Sequence, residues 1–167
     1  DTGKERHYYT RPMSAARSDL VNAVELASRS ATLERSLDLG GLPRLVEAGA
    51  LEGTRAEARL TFGTFEKRTT VEVSVVGSLM LPCQRCLRPC EGPLDETARL
   101  IVVSHDREEV PGGFEPVVGD AERLSVTALV EEQMLLGMPL VPMHYDDGCQ
   151  DAAAPVTTIE RDSTVEE

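Results

Sequence analysis

The chain has no tryptophan, and Phe and Tyr together make up only 4% of its 167 residues. A core here has to be assembled from Leu, Val and Ala, because aromatic rings are too few to dominate it. Long apolar runs are missing as well. The longest stretch, Met134 to Met143, is interrupted by Gly137, Pro139 and Pro142, and a membrane helix needs roughly 18 uninterrupted apolar residues. No membrane partner is expected. The first eleven residues are polar and lack the apolar stretch of a secretory leader, so a cytoplasmic location is the expectation. There is no Gly-rich phosphate loop, and no Ser/His/Asp order marks a nucleophile. The chain is therefore not expected to be an enzyme.

Positive charge is scarce in one region only. Residues 1–105 carry 14 basic and 14 acidic side chains, whereas residues 106–167 carry 3 and 15, so the whole net charge of −12 sits in the last third. Binding to phosphate backbones relies on clustered Lys and Arg. Two readings of the acidic third remain: a solvated tail that aids solubility, or a docking surface for a basic protein.

The length suits one domain with a real core. The expected organisation is a flexible N-terminal segment over residues 1–17, a single domain over 18–150, and an acidic disordered tail over 151–167, which is rich in Ala, Thr, Asp and Glu. Residues 14–28 carry a weak helical pattern, with Ser18 or Asp19 as N-cap. Ala31 to Leu39 alternates as a strand does, with Leu33, Leu37 and Leu39 on one face. A turn at Gly40–Pro43 leads into a short helix that Gly49 stops.

Two clearer strands follow. One runs from Glu57 to Phe65 and the other from Thr69 to Leu81, where Val71, Val73, Val75, Leu79 and Leu81 share a face. The polar Glu66-Lys67-Arg68 between them predicts an antiparallel hairpin. A third strand is expected from Leu94 to Ser104, after a gap of about a dozen residues that holds cysteines. Glu115 to Val118 reads as a short edge strand. Ser125 caps a helix to about Met138, with Val126, Leu129, Val130, Met134 and Leu136 inward and Glu131 and Glu132 off that face. Pro139 and Pro142 then force an extended segment. The fold class is α+β: an antiparallel sheet with helices packed on one side.

Three of the four cysteines crowd together at Cys83, Cys86 and Cys90, and Cys149 lies far downstream. Two thiolates at CxxC spacing on a loop can hold one tetrahedral ion, and His144-x4-Cys149 offers a second half-site. Four protein ligands leave no open coordination position, so a zinc there would be a structural staple. Other readings stay open. The cysteines could be plain thiols, or Cys83 and Cys86 could be a redox pair, although such pairs belong at a helix N-terminus. Disulfides do not fit a chain without an export signal. Cys90 is a fifth donor that could replace His144. Lys67, Arg68, Arg85 and Arg88 are the only local basic group, and they are the candidate contacts to RNA or a partner.

The stretch Leu81-Pro82-Cys83-Gln84-Arg85-Cys86-Leu87-Arg88-Pro89 resembles a signature of the YceD family, the large ribosomal RNA subunit accumulation proteins. A second block is similar too: Leu129 to Leu136, then Pro139 to His144, then Cys149. Together, in this order, the blocks identify the chain as a member, over about Ser18 to Cys149.

The resemblance implies a bacterial cytoplasmic protein of ribosome biogenesis, non-enzymatic, supporting accumulation or processing of 23S ribosomal RNA. Relatives carry His or Cys at the position of His144, an exchange a zinc ligand permits, which favours Cys83, Cys86, His144 and Cys149 as the ligand set and leaves Cys90 incidental. Members commonly end on a short apolar segment containing Pro-Phe, which this chain lacks. A basic ribosomal protein or an RNA-processing factor is the expected partner, with ribosomal RNA reached indirectly. The competing expectations are a zinc-stapled module that binds RNA directly and, behind it, a thiol or zinc enzyme.

Overall fold

The structure is a computed structural model that describes residues 19–145 and Cys149. The segment 1–17 and the tail 151–167 lie outside the described residues. A five-stranded sheet runs in the order β2 (Thr32–Asp38), β3 (Arg55–Phe65), β4 (Arg68–Pro82), β5 (Pro89–Val103), β6 (Glu115–Val118). Helices α1 (Ala23–Ser28), α2 (Pro43–Glu47) and α3 (Val126–Leu136) contribute to one core with its inner face. Two short strands, β1 (Leu20–Val21) and β7 (Leu124–Ser125), pair beside it. The α+β class read from the sequence is the observed one.

The alternation in the middle of the chain sets the sheet. Val71, Val73, Val75, Leu79 and Leu81 on β4 are all buried, as are Ala58, Leu60 and Phe62 on β3. Because side chains alternate faces along a strand, each strand contributes one apolar row to the same layer. The β3–β4 turn is Glu66-Lys67 with φ of 48° and 65°. Two consecutive left-handed residues match the right-handed strand twist, as in a two-residue type I′ hairpin. Gly77 is demanded by packing: a Cβ there would stand 2.2 Å from the Arg55 carbonyl oxygen on β3.

Four expectations need correction. The third strand does not start at Leu94 but at Pro89, pairing with β4 as far as Pro82↔Pro89, so the cysteine gap shrinks to a tight loop over residues 83–88. The edge strand β6 lies parallel to β5, so the sheet is antiparallel except at that edge. The connection into it follows the second face, where Phe114 packs against Phe65 at 5.1 Å and beneath Arg99 at 4.5 Å. The first helix is capped by Asn22, which accepts from the Glu25 N–H at 3.0 Å, and not by Asp19, while Ser18 lies outside the described residues. On α3, Leu136 is 63% exposed while Glu131 is 3% exposed, the reverse of the expected faces.

Glu131 is inward for a reason. Its carboxylate accepts the backbone N–H groups of Arg44 at 2.7 Å and Leu45 at 3.0 Å. Helix α2 starts on Leu42 and Pro43 and has no capping side chain of its own, so α3 supplies the acceptor its first turn lacks. Asp19 does the same for α3. It accepts the Thr127 N–H at 2.7 Å and the hydroxyl of the N-cap Ser125.

Candidate metal centre

The long β4–β5 ladder projects Cys83–Arg88 as a loop at its end. Proline at both strand ends, Pro82 and Pro89, removes two ladder donors there. The loop closes on itself: the Cys83 N–H donates to the Arg88 carbonyl and the Leu87 N–H to the Cys83 carbonyl, both at 2.9 Å. Leu87 has φ of 60°, a left-handed conformation more usual for glycine.

Helix α3 packs on β4 and β5 and delivers its C-terminal end to this loop. Gly137 lets it come close, since a Cβ there would lie 2.6 Å from Leu94 Cδ1 on β5. After Pro139 the extended chain runs past the loop, and the Gln84 N–H donates to the Pro142 carbonyl at 2.9 Å. That bond registers His144 against the cysteines.

The ligand atoms of Cys83, Cys86, His144 and Cys149 all lie within 4.8 Å of one another. Cys83 Sγ is 3.5 Å from Cys149 Sγ, and His144 Nδ1 is 3.5 Å from Cys86 Sγ and 3.2 Å from Cys149 Sγ. A tetrahedral zinc, with Zn–S of about 2.3 Å and Zn–N of about 2.0 Å, separates donor pairs by roughly 3.5–3.8 Å. The donor set therefore fits the ion. The histidine tautomer fits as well. Nε2 lies 3.1 Å from the Pro89 carbonyl oxygen, and a carbonyl only accepts. Nε2 therefore carries the proton, and in the neutral ring the Nδ1 lone pair faces the sulfurs.

The thiols are unequal. Burial disfavours the Cys83 thiolate, yet the backbone N–H groups of Cys86, Arg85 and His144, with the Cys149 thiol, outweigh it and hold the group down to about 5. Cys149 is pushed up to about 11 by burial and by its place beside Cys83 and Cys86. Cys90 sits on β5 opposite Leu81. Burial, then the neighbouring Cys83 and Cys86, raises its thiol, which donates to the Leu81 carbonyl at 3.4 Å. It is not one of the four clustered donors.

The structure does not bring the four basic candidates together. Lys67 and Arg68 stand at one end of β4, and Arg85 and Arg88 lie beyond the other. At about 3.3 Å per residue the strand between them is on the order of 45 Å long. Arg68 is also engaged, donating to the Glu109 carbonyl at 2.8 Å and lying 3.5 Å from Glu108. The sequence reading assigned Asp19 to the first helix and put Glu131 off the apolar face of α3, and so missed that Asp19 serves α3 and Glu131 serves α2. A helix opening on Leu-Pro, with no Ser, Thr, Asp or Asn to cap it, was the signal that an acceptor must come from elsewhere.

The chain is of the α+β class, an antiparallel-rich sheet whose longest hairpin ends beside a Cys3His group that could hold a metal ion. The family model described as large ribosomal RNA subunit accumulation protein YceD matches residues 71–167. This chain belongs to that family. The match takes in β4 from Val71 onward, the CxxC loop, α3, His144 and Cys149. The chain is also similar to the large ribosomal RNA subunit accumulation protein YceD of Haemophilus influenzae, with 28% identity over 130 residues covering 72% of this chain and 75% of the relative. No solved structure matches it.

Proposed function

We propose that this protein is a non-catalytic factor that supports accumulation of large-subunit ribosomal RNA. Membership of a family named for that role carries the reading. The residues from about 18 to 150 form the working unit, and a structural zinc held by Cys83, Cys86, His144 and Cys149 staples the β4–β5 loop to the segment after α3. Bound there, zinc supplies a cross-link and no chemistry, because four protein donors fill a tetrahedral ion. The factor works in the cytoplasm through a protein partner of basic character. The acidic last third supports this, since it repels phosphate and attracts Lys-rich surfaces.

The test is made in the native host. Loss of the gene is expected to lower the ratio of large- to small-subunit ribosomal RNA, and this chain restored on a plasmid brings it back. An unchanged ratio in the deletion strain would refute the reading. A gel shift on purified ribosomal RNA checks the route: no shift is expected at near-physiological salt, and a tight shift would replace the protein partner with direct RNA binding.

A further inference from the structure

The metal knot has an apolar neighbour. A groove of about 240 Å³ beside it is lined by Leu81, Gly92, Pro139, Val141, Met143 and Tyr145. Leu140 is 97% exposed and Tyr145 82% exposed, and Val141 and Leu136 are more than half exposed. A cluster of this kind on a small protein marks an interaction site more often than an accident of packing.

The segment that carries it is not loose. Pro139 and Pro142 restrict its backbone, the Gln84 N–H holds the Pro142 carbonyl at 2.9 Å, and His144 is tied to Pro89 at 3.1 Å. Side chains presented from a fixed strand lose little entropy on binding.

Charge selects the occupant. Asp146 and Asp147 follow the groove residue Tyr145 directly in the sequence. Glu91 lines the groove, and no Lys or Arg does. We infer that this groove docks a segment of a partner protein that carries apolar side chains flanked by lysines or arginines. Apolar side chains fill the groove, and flanking cations meet Glu91. The inference rests on the protein-partner reading above and adds to it the surface and the kind of sequence that surface takes.

The test uses the full chain and a fluorescein-labelled twelve-residue peptide of alternating Lys and Leu pairs. Two companion peptides replace Leu by Ser or Lys by Glu. The Lys/Leu peptide is expected to bind, with at least tenfold weaker binding for either companion. Val141→Asp, in the groove lining, is expected to weaken the Lys/Leu peptide at least tenfold, whereas Val46→Asp, on the exposed side of α2, leaves it unchanged. Circular dichroism and zinc content confirm that both variants fold.

No binding, equal binding of the Ser companion, or indifference to Val141→Asp overturns the inference. So does a wild-type dimer in sedimentation that Val141→Asp disperses, since a second copy would then be the occupant. Displacement of the peptide by a ribosomal RNA fragment overturns it in favour of RNA. The peptide titration reads the groove alone and the RNA ratio in cells reads the broader role, so either can fail visibly without the other.

Discussion

The carboxylate of Glu131, buried on α3, accepts the backbone N–H of Leu45 at 3.0 Å and so caps a helix 86 residues earlier in the chain. The same oxygen takes the Arg44 N–H at 2.7 Å, while the next residue, Glu132, pairs with the Arg44 guanidinium at 2.6 Å. Two adjacent carboxylates of α3 thereby join it to the start of α2.

Removing that acceptor strands two amide donors in a dry contact. Glu131→Ala is expected to cost about 2–3 kcal/mol, because unsatisfied buried donors and a lost cap both penalise the fold. Glu131→Gln keeps an oxygen and should cost about 1 kcal/mol. Urea unfolding of the three proteins measures both. Equal stability of wild type and Glu131→Ala would show that the cap contributes nothing.

The Cys3His knot makes a prediction about composition as well as stability. Purified, untagged protein is expected to carry one zinc per chain. Cys83→Ser should lose the metal and lower the melting temperature by roughly 5–15 °C. Cys90→Ser should retain it, since Cys90 lies outside the four clustered donors. His144→Cys should retain it too, because thiolate and imidazole both suit zinc. Metal analysis with differential scanning calorimetry decides. Loss of zinc in Cys90→Ser, or an unchanged melting temperature in Cys83→Ser, contradicts the assignment.

Asp19 ties the pH response to the α3 cap. Burial raises its carboxyl, but the Ser125 and Thr127 hydrogen bonds outweigh that, and Arg35 helps, so the group titrates below its ordinary value of 3.8. A depressed folded value means that the contribution is fully present above the unfolded value and disappears as pH falls through the folded one. The stability gap between wild type and Asp19→Asn should therefore be constant above about pH 5 and close below about pH 3. Chemical unfolding across that range tests the sign. A gap that widens in acid would contradict it.

Much of the fold is legible in the sequence. Period-two patterning located β2, β3 and β4, with buried rows on β3 and β4 and a half-buried one on β2, and Ser125 was rightly read as the cap of α3, where it accepts the Ala128 N–H at 3.1 Å. The strand start at Pro89 was hidden because Pro89, Gly92 and Pro93 mimic a loop. Only the ladder with β4, which pairs Gly92 with Leu79 and Pro93 with Ser78, makes that stretch a strand. Glu131 was placed outside because a carboxylate next to another on a helix normally faces water. Its partners are backbone amides of a distant segment, and although the uncapped helix there calls for an acceptor, nothing in the sequence of α3 says that Glu131 is the one.

What the sequence by itself determined is local: strand alternation, helix caps, proline stops, and a CxxC whose two thiols must sit close because only two residues separate them. The tertiary structure decided which distant groups meet. The 57 residues between Cys86 and His144 return to the same point because α3 packs across β4 and β5, Gly137 permits that approach, and the Gln84–Pro142 hydrogen bond fixes the register. The same packing separates Lys67 and Arg68 from Arg85 and Arg88 by the length of β4. Spacing along a chain governs contacts within a turn, but over tens of residues only the packing of whole elements brings side chains together or holds them apart.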